Sequence, residues 1–318
     1  MSKHHRNRNW APAPQPLPED AHVIDNHTHV ASVVPFSQAM SHEAMEKGQG
    51  EVPVYSVDEL LEQAQKVGVE GVIDCGCELP NLMTAIDMAR EHPGTVHAAI
   101  AIHPNEAVLH GHRGAPGPDG LPIKYKPWHD IPFDEAMAEV HRLATTYPNQ
   151  VVAIGETGMD LFRTGESAKE LQREAFRAHI ALAKELNLPM QIHDRDSHKE
   201  VIETLLADGV PERTVFHSYS GDAEMGEIAR KNGWYLSLSG TSSYKGNDGI
   251  RESAKLVGMS HVMVETDAPY LSPMPYRGRT NAPYMIPYTL QALADYLDRP
   301  LAEIAKATRN TTRVVYGI

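Results

Sequence analysis

The sequence predicts a single-domain α/β protein folded as a (β/α)8 TIM barrel. Three observations predict it. Eight short apolar runs recur along the chain, each followed by helical pattern, and strand–helix alternation builds a parallel sheet. The length of 318 residues suits one closed barrel better than two modest domains. Neither an internal repeat nor a linker divides the chain. A doubly wound open sheet is the alternative architecture.

Residues 1–18 are polar and basic and carry Pro12, Pro14, Pro16 and Pro18, so they read as a disordered or extended leader. The barrel is expected over 19–318. Its first strand starts at Val23 and ends at His27 and His29, and Val57, Leu60, Leu61, Ala64 and Val67 then follow helical spacing. A second strand is expected over 71–76, with a helix over 80–92. The third covers 96–102 and ends at His103-Pro104. An irregular insert rich in Gly, Pro and His follows over about 106–132, and a helix over 133–147 closes that unit. The fourth strand covers 151–155 and ends in Glu156, before a long helix over 166–186. The fifth ends in His193, the sixth in His217, the seventh covers 234–238 and the eighth ends in Asp267. Two helices over 288–297 and 301–316 complete the pattern.

Composition narrows the function. Hydrophobic residues make up 41% of the chain, enough for a large core, but no apolar run approaches the ~18 residues of a membrane span. Lys3, Arg6 and Arg8 precede no apolar segment, so no secretory signal is read. With only Cys75 and Cys77 present, a structural zinc site is not expected, and the two read as small buried residues at a strand end. Scarce cysteine predicts a cytoplasmic protein. The net charge of −13 argues against broad neutralisation of duplex phosphates, though not against a phosphate held by metal ions in a cleft. No protein partner is inferable.

In such barrels reactive residues stand at the C-terminal strand ends, on one rim. His27 and His29 point to one face because strand residues two apart do so. Each rim residue has a bland reading: a core histidine, a solvated glutamate, a turn aspartate before Ala268-Pro269. Six at one rim are better explained by one metal centre made of His27, His29, Glu156, His193, His217 and Asp267. Six ligands exceed what one catalytic ion needs, so two divalent ions are expected. Glu156 would bridge them, with His27, His29 and Asp267 on one ion and His193 and His217 on the other. A bridging hydroxide would be the nucleophile and Asp267 its proton acceptor. Imidazole-rich ligation suits Zn, Mn, Ni or Co, whereas Mg prefers oxygen.

Several short motifs carry a family resemblance. They are Asp25-x-His27-x-His29, His103-Pro104, Gly155-Glu156-Thr157-Gly158-Met159-Asp160 and Pro189-x-x-x-His193-x-Arg195. His217-x-Tyr219-Ser220-Gly221, Glu265-Thr266-Asp267-x-Pro269-Tyr270-Leu271, Arg277-Gly278-x-x-Asn281-x-Pro283 and Thr308-x-Asn310 continue the series. In this order the sequence resembles the TatD family of metal-dependent deoxyribonucleases over nearly its whole length. Ala101 and Ala282 depart from the pattern, and the insert is longer than usual. The resemblance implies an amidohydrolase-like barrel of the metal-dependent hydrolase type that cleaves DNA phosphodiesters, at the same six ligand positions. It also implies substrate-phosphate contacts at His103 and Arg195, although Arg195 could instead pair with Asp194, Asp196 or Glu156. Family members are described as magnesium-dependent, in tension with four imidazoles. The expected substrate is single-stranded DNA or exposed ends. A barrel hydrolase of amides, lactones or carboxyl esters is the alternative, and a non-catalytic metal-binding protein a third possibility.

Overall fold

A computed structural model describes residues 9–48, 52–111 and 124–318. Eight parallel strands pair in sequence order: β1 (Val23–Thr28), β2 (Val69–Gly76), β3 (Val96–Ile100), β4 (Val151–Asp160), β5 (Met190–Arg195), β6 (Thr214–Phe216), β7 (Tyr235–Leu238) and β8 (Val262–Val264). A doubly wound sheet would break this order, so the open alternative is excluded. The seam between β8 and β1 is closed by Asp267 N–H donating to the His27 carbonyl and His29 N–H to the Ala268 carbonyl, both at 3.0 Å. Side chains seal it further. The Asp25 carboxylate accepts from Thr266 N–H at 2.8 Å and Thr266 Oγ1 at 2.5 Å, and Asn26 Nδ2 donates to the Val264 carbonyl at 2.7 Å.

Strand side chains alternate between two cores. Ile73, Ala99, Ala153, Val215 and Met263 point inward, where Tyr316 also packs. Their neighbours Val72, Ala98, Ile154, Phe216 and Val264 face the surrounding helices. Those helices are α1 (Val30–Glu46), α2 (Val57–Lys66), α3 (Asn81–Glu91), α4 (Pro104–Ala107), α5 (Phe133–Thr146), α6 (Lys169–Leu186), α7 (His198–Asp208), α8 (Ala223–Asn232), α9 (Asp248–Val257), α10 (Ile286–Leu297) and α11 (Leu301–Tyr316). Among the described residues no helix is long and apolar enough to cross a membrane.

Three expectations need correction. The segment before residue 19 is not a free leader from Asn9 onward. It is extended but docked: Trp10, Ala11 and Leu17 are buried, Trp10 Nε1 donates to the Pro53 carbonyl at 2.7 Å, and Tyr284 Oη donates to the Ala11 carbonyl at 2.9 Å. Its prolines preset an extended path, and its apolar side chains supply the adhesion. Residues 1–8 lie outside the described residues. Strand β4 runs on to Asp160, so Glu156 is not at its end but follows a register shift between Ile154 and Thr157. Such a bulge re-aims a side chain. The insert is not wholly irregular: it leaves from the last turn of α4 and contains a short 3-10 turn (Pro127–Asp130). Its His110 and His129 are buried, while His112 lies outside the described residues.

Candidate metal centre

His29, Glu156, His193, His217 and Asp267 line one cleft of about 1260 Å³, and His27 lies buried just behind its wall. The two oxygens of Glu156 divide the histidines. Oε2 faces His27 Nε2 at 3.8 Å and His29 Nε2 at 3.9 Å, while Oε1 contacts His193 Nδ1 and lies 3.2 Å from His217 Nε2. Asp267 Oδ1 lies 3.4 Å from His29 Nε2 and 4.0 Å from His27 Nε2. His27, His29 and Glu156 offer atoms close enough to share an ion, as do His27, His217 and Asp267, and His103, Glu156 and His193.

Each imidazole is locked by what its other nitrogen touches. His27 Nδ1 donates to Gln191 Oε1 at 2.9 Å; the Gln191 amide is itself oriented because its Nε2 donates to the Asn26 carbonyl and to Tyr316 Oη. His29 Nδ1 donates to the Cys75 carbonyl at 3.0 Å. His217 Nδ1 faces the buried Glu265 carboxylate at 2.9 Å. In all three Nδ1 is turned to the outer neighbour and Nε2 to the metal centre. His193 is reversed: Nε2 donates to Asp160 Oδ2 at 3.1 Å, so Nδ1 faces Glu156. Such outer partners fix the ring orientation and basicity of metal-ligating histidines. His27 Nε2 is also buried with no hydrogen-bond partner among the described residues. A buried lone pair left unpaired is costly, and a cation at this point would satisfy it. The donor set therefore fits divalent metal.

His103 has a different character. Its Nδ1 accepts the Asn105 N–H at 3.1 Å, which places the proton on Nε2, 3.6 Å from Glu156 Oε1. In this tautomer His103 turns an N–H rather than a lone pair towards Glu156.

Electrostatics follow the same division. Burial alone would depress His29, yet the Asp267 carboxylate beside it raises its pKa to about 10. His193 is likewise depressed by burial but lifted to about 9 by Glu156 and Asp160. His217 is held up against burial by Glu265 and Glu156. Burial would raise Glu156, but His217, His193 and His103 together hold it well below the usual carboxylate range. His27 moves the other way: burial, and then the cationic His217 stacked 3.7 Å from it, keep it neutral. A dication at these nitrogens would displace the protons.

Arg195 lines the cleft, and no ion pair joins it to Asp194, Asp196 or Glu156 among the described residues. Asp194 is taken by His198 at 2.7 Å, and the Arg195 guanidinium lies 4.1 Å over the Phe162 ring. Of the non-glycine residues with left-handed backbone among those described, Asp196, Ser218, Asp267 and Leu271 all stand at this rim, and such strain collects at functional sites.

Sequence reasoning missed the orienting shell. Gln191 precedes His193 by two residues and Glu265 precedes Asp267 by two, a same-face spacing that could have flagged them. Asp160 stands four after Glu156. Cys77, dismissed as strand-end filler, lines the cleft with Sγ 3.6 Å from Glu156 Oε2 and 3.4 Å from Cys75 Sγ.

Comparison with known proteins agrees with this geometry. The profile of the TatD-related DNase family matches residues 24–317. The chain is 37% identical over 267 residues to an uncharacterized metal-dependent hydrolase, TatD, of Mycobacterium tuberculosis, covering 83% of this chain and 92% of that one. It is 30% identical over 263 residues to the uncharacterized metal-dependent hydrolase YabD of Bacillus subtilis, covering 82% and 93%. The crystal structure of YjjV, a TatD homologue from Escherichia coli, superposes with a TM-score of 0.73 at 24% identity, over 94% of this chain and 99% of that one, and supports the fold. With the profile spanning the barrel and the ligand set assembled inside it, the chain belongs to the TatD family of metal-dependent hydrolases.

Proposed function

We propose that this hydrolase is a deoxyribonuclease of the cytoplasm, cleaving phosphodiesters in single-stranded DNA or exposed ends with two divalent ions. The carrying observation is the pairing of histidines on opposite oxygens of Glu156, with the Nε2–H of His103 beside them. His27, His29 and Asp267 would hold one ion, His193 and His217 the other, and Glu156 both. Bound there, the ions would polarise a phosphoryl oxygen and acidify water.

The chain's own groups supply the rest. Asp267 stands where a carboxylate oxygen can take a proton from the attacking water. His103 donates from Nε2 to a phosphoryl oxygen. Arg195, free of the neighbouring carboxylates, offers its fork to the phosphate wall. A flat carbonyl substrate needs fewer such donors than a tetrahedral phosphate, which favours a diester over an amide, lactone or carboxyl ester.

The test is a substrate panel of single-stranded DNA, duplex DNA, a generic phosphodiester and carboxyl esters, with Mg, Mn and Zn added in turn. Phosphodiester cleavage is expected, and turnover of carboxyl esters alone would reverse the assignment. Glu156→Gln should lower the rate more than about 100-fold while leaving the circular dichroism spectrum unchanged. Full activity in that variant would remove Glu156 from the centre.

A further inference from the structure

Tyr270 is an exposed large aromatic on the wall of the metal cleft. Its side of the cleft follows β8, three residues beyond Asp267, and 55% of its surface faces solvent. Exposing an aromatic ring is ordinary when it is scattered and mobile, but this one is held. Tyr270 N–H donates to the Asp267 carbonyl at 2.9 Å. Asn281 Nδ2 donates to both the Thr266 carbonyl at 2.7 Å and the Tyr270 carbonyl at 2.6 Å, tying the segment to the strand end that carries Asp267. Leu271, in left-handed backbone, fixes the exit of the turn. The ring is backed edge-on by Phe36 of α1 at 6.5 Å between centroids. It is thus a braced, solvent-facing aromatic surface beside the reacting centre.

The rest of the cleft explains what such a surface could serve. Asp74, Glu78, Glu106, Asp194 and Asp222 make the wall acidic, and Arg163 and Arg195 are the arginines that line it among the described residues. A long phosphate backbone gains little from such a wall, so binding energy must come from elsewhere on the nucleotide. Bases stack on aromatic side chains irrespective of sequence, and this contact needs no positive charge.

We propose that Tyr270 is a specificity-determining residue that stacks on the base next to the scissile phosphate, making the substrate a nucleotide diester rather than any phosphodiester. This rests on the phosphodiesterase reading above. Stacking would bind ground state and transition state alike, so its loss should appear in KM rather than in kcat.

Three substrates with a single phosphodiester each test it: thymidylyl-thymidine and its two analogues in which one or the other nucleoside carries an abasic tetrahydrofuran in place of the base. The metal-loaded wild type should show a KM on the order of tenfold higher for one of the analogues than for the parent. Tyr270→Ala should raise KM for the parent by a similar factor, change kcat less than about twofold and leave KM for that analogue unaltered. Tyr270→Phe should restore the parent's KM, and the melting temperature of both variants should match wild type. Equal wild-type KM for all three substrates, or an equal effect of Tyr270→Ala on every one, would overturn the stacking role while leaving the phosphodiesterase reading standing. Failure of the wild type to cleave any of them would remove both.

Discussion

Three of the four candidate ligand imidazoles present Nε2 and one presents Nδ1, and in each case the choice is made by a neighbour outside the centre. Glu265 is the most exposed to test. It is buried, its pKa is raised by that burial, its carboxylate lies 2.9 Å from His217 Nδ1, and it accepts the Ser218 N–H at 2.8 Å. Glu265→Gln keeps the shape and removes the charge, so metal affinity measured by chelator competition should fall by about 10- to 100-fold. His179, away from the centre, gives a pH signature. It is fully buried, with Nδ1 donating to the Ala175 carbonyl and Nε2 accepting the Ile102 N–H, and burial pushes its pKa down to about 4 from the ordinary 6.5. The unfolded chain therefore binds this proton at a higher pH than the folded one. The contribution is intact above pH 6.5 and is lost as pH falls towards 4, amounting to about 3 kcal/mol. Urea titrations of wild type and His179→Gln should diverge in their pH slope within that window. At this scale the residues that gather at the candidate centre were legible because histidines and carboxylates stand out at the ends of apolar runs. Gln191 and Glu265 were passed over because their two-residue spacing from His193 and Asp267 marks a shared face without saying what they bond.

At the scale of elements, the segment 9–18 behaves as a strap. Its contacts run to Thr280 by a parallel bridge from Trp10, to Val67 from Leu17 N–H at 3.1 Å, and to Arg279, whose Nη1 donates to the Trp10 carbonyl at 3.1 Å. Arg279 and Thr280 lie in the stretch leading from the Asp267 turn to α10. Trp10→Ala should cost about 3 kcal/mol in denaturant unfolding, the range for losing a buried large aromatic. A loss below about 0.5 kcal/mol would mean that the strap adds nothing to stability. Proline-rich composition concealed this docking, since prolines describe the backbone path and say little about adhesion. Helix α1 was hidden for a related reason: Pro35 lies inside it, where it breaks the pattern that periodicity detects. Strand β4 was cut short in the sequence reading because Gly155 and Gly158 look like terminators. Gly158 instead allows a close approach: its φ is +137°, and a Cβ there would lie 2.1 Å from the His193 carbonyl oxygen.

For the molecule as a whole, strand–helix alternation carried the fold into the sequence, because eight units of this length leave few other ways to bury both faces of a parallel sheet. The seam was not legible, as it depends on Asp25 and Asn26 reaching across to Thr266 and Val264. Gathering four imidazoles and two carboxylates in one place predicts that the folded state gains stability from bound cations. Stripping divalent metal with a chelator should lower the melting temperature. Restoring Zn or Mn at about 100 times its dissociation constant should return roughly 2.7 kcal/mol. An unchanged melting temperature on metal addition would contradict the assignment of these residues as ligands.

The side-chain clasp between Asn26 and Val264 spans 238 positions of sequence, and Gln191 reaches back 165 to the Asn26 carbonyl. During synthesis, His27 and His29 therefore leave the ribosome long before the carboxylates that complete their surroundings. A growing chain holds two imidazoles without Glu156, then without His217, and last without Asp267. Hydrolytic competence arrives late and all at once, so unfinished chains carry the family's opening signature without its chemistry.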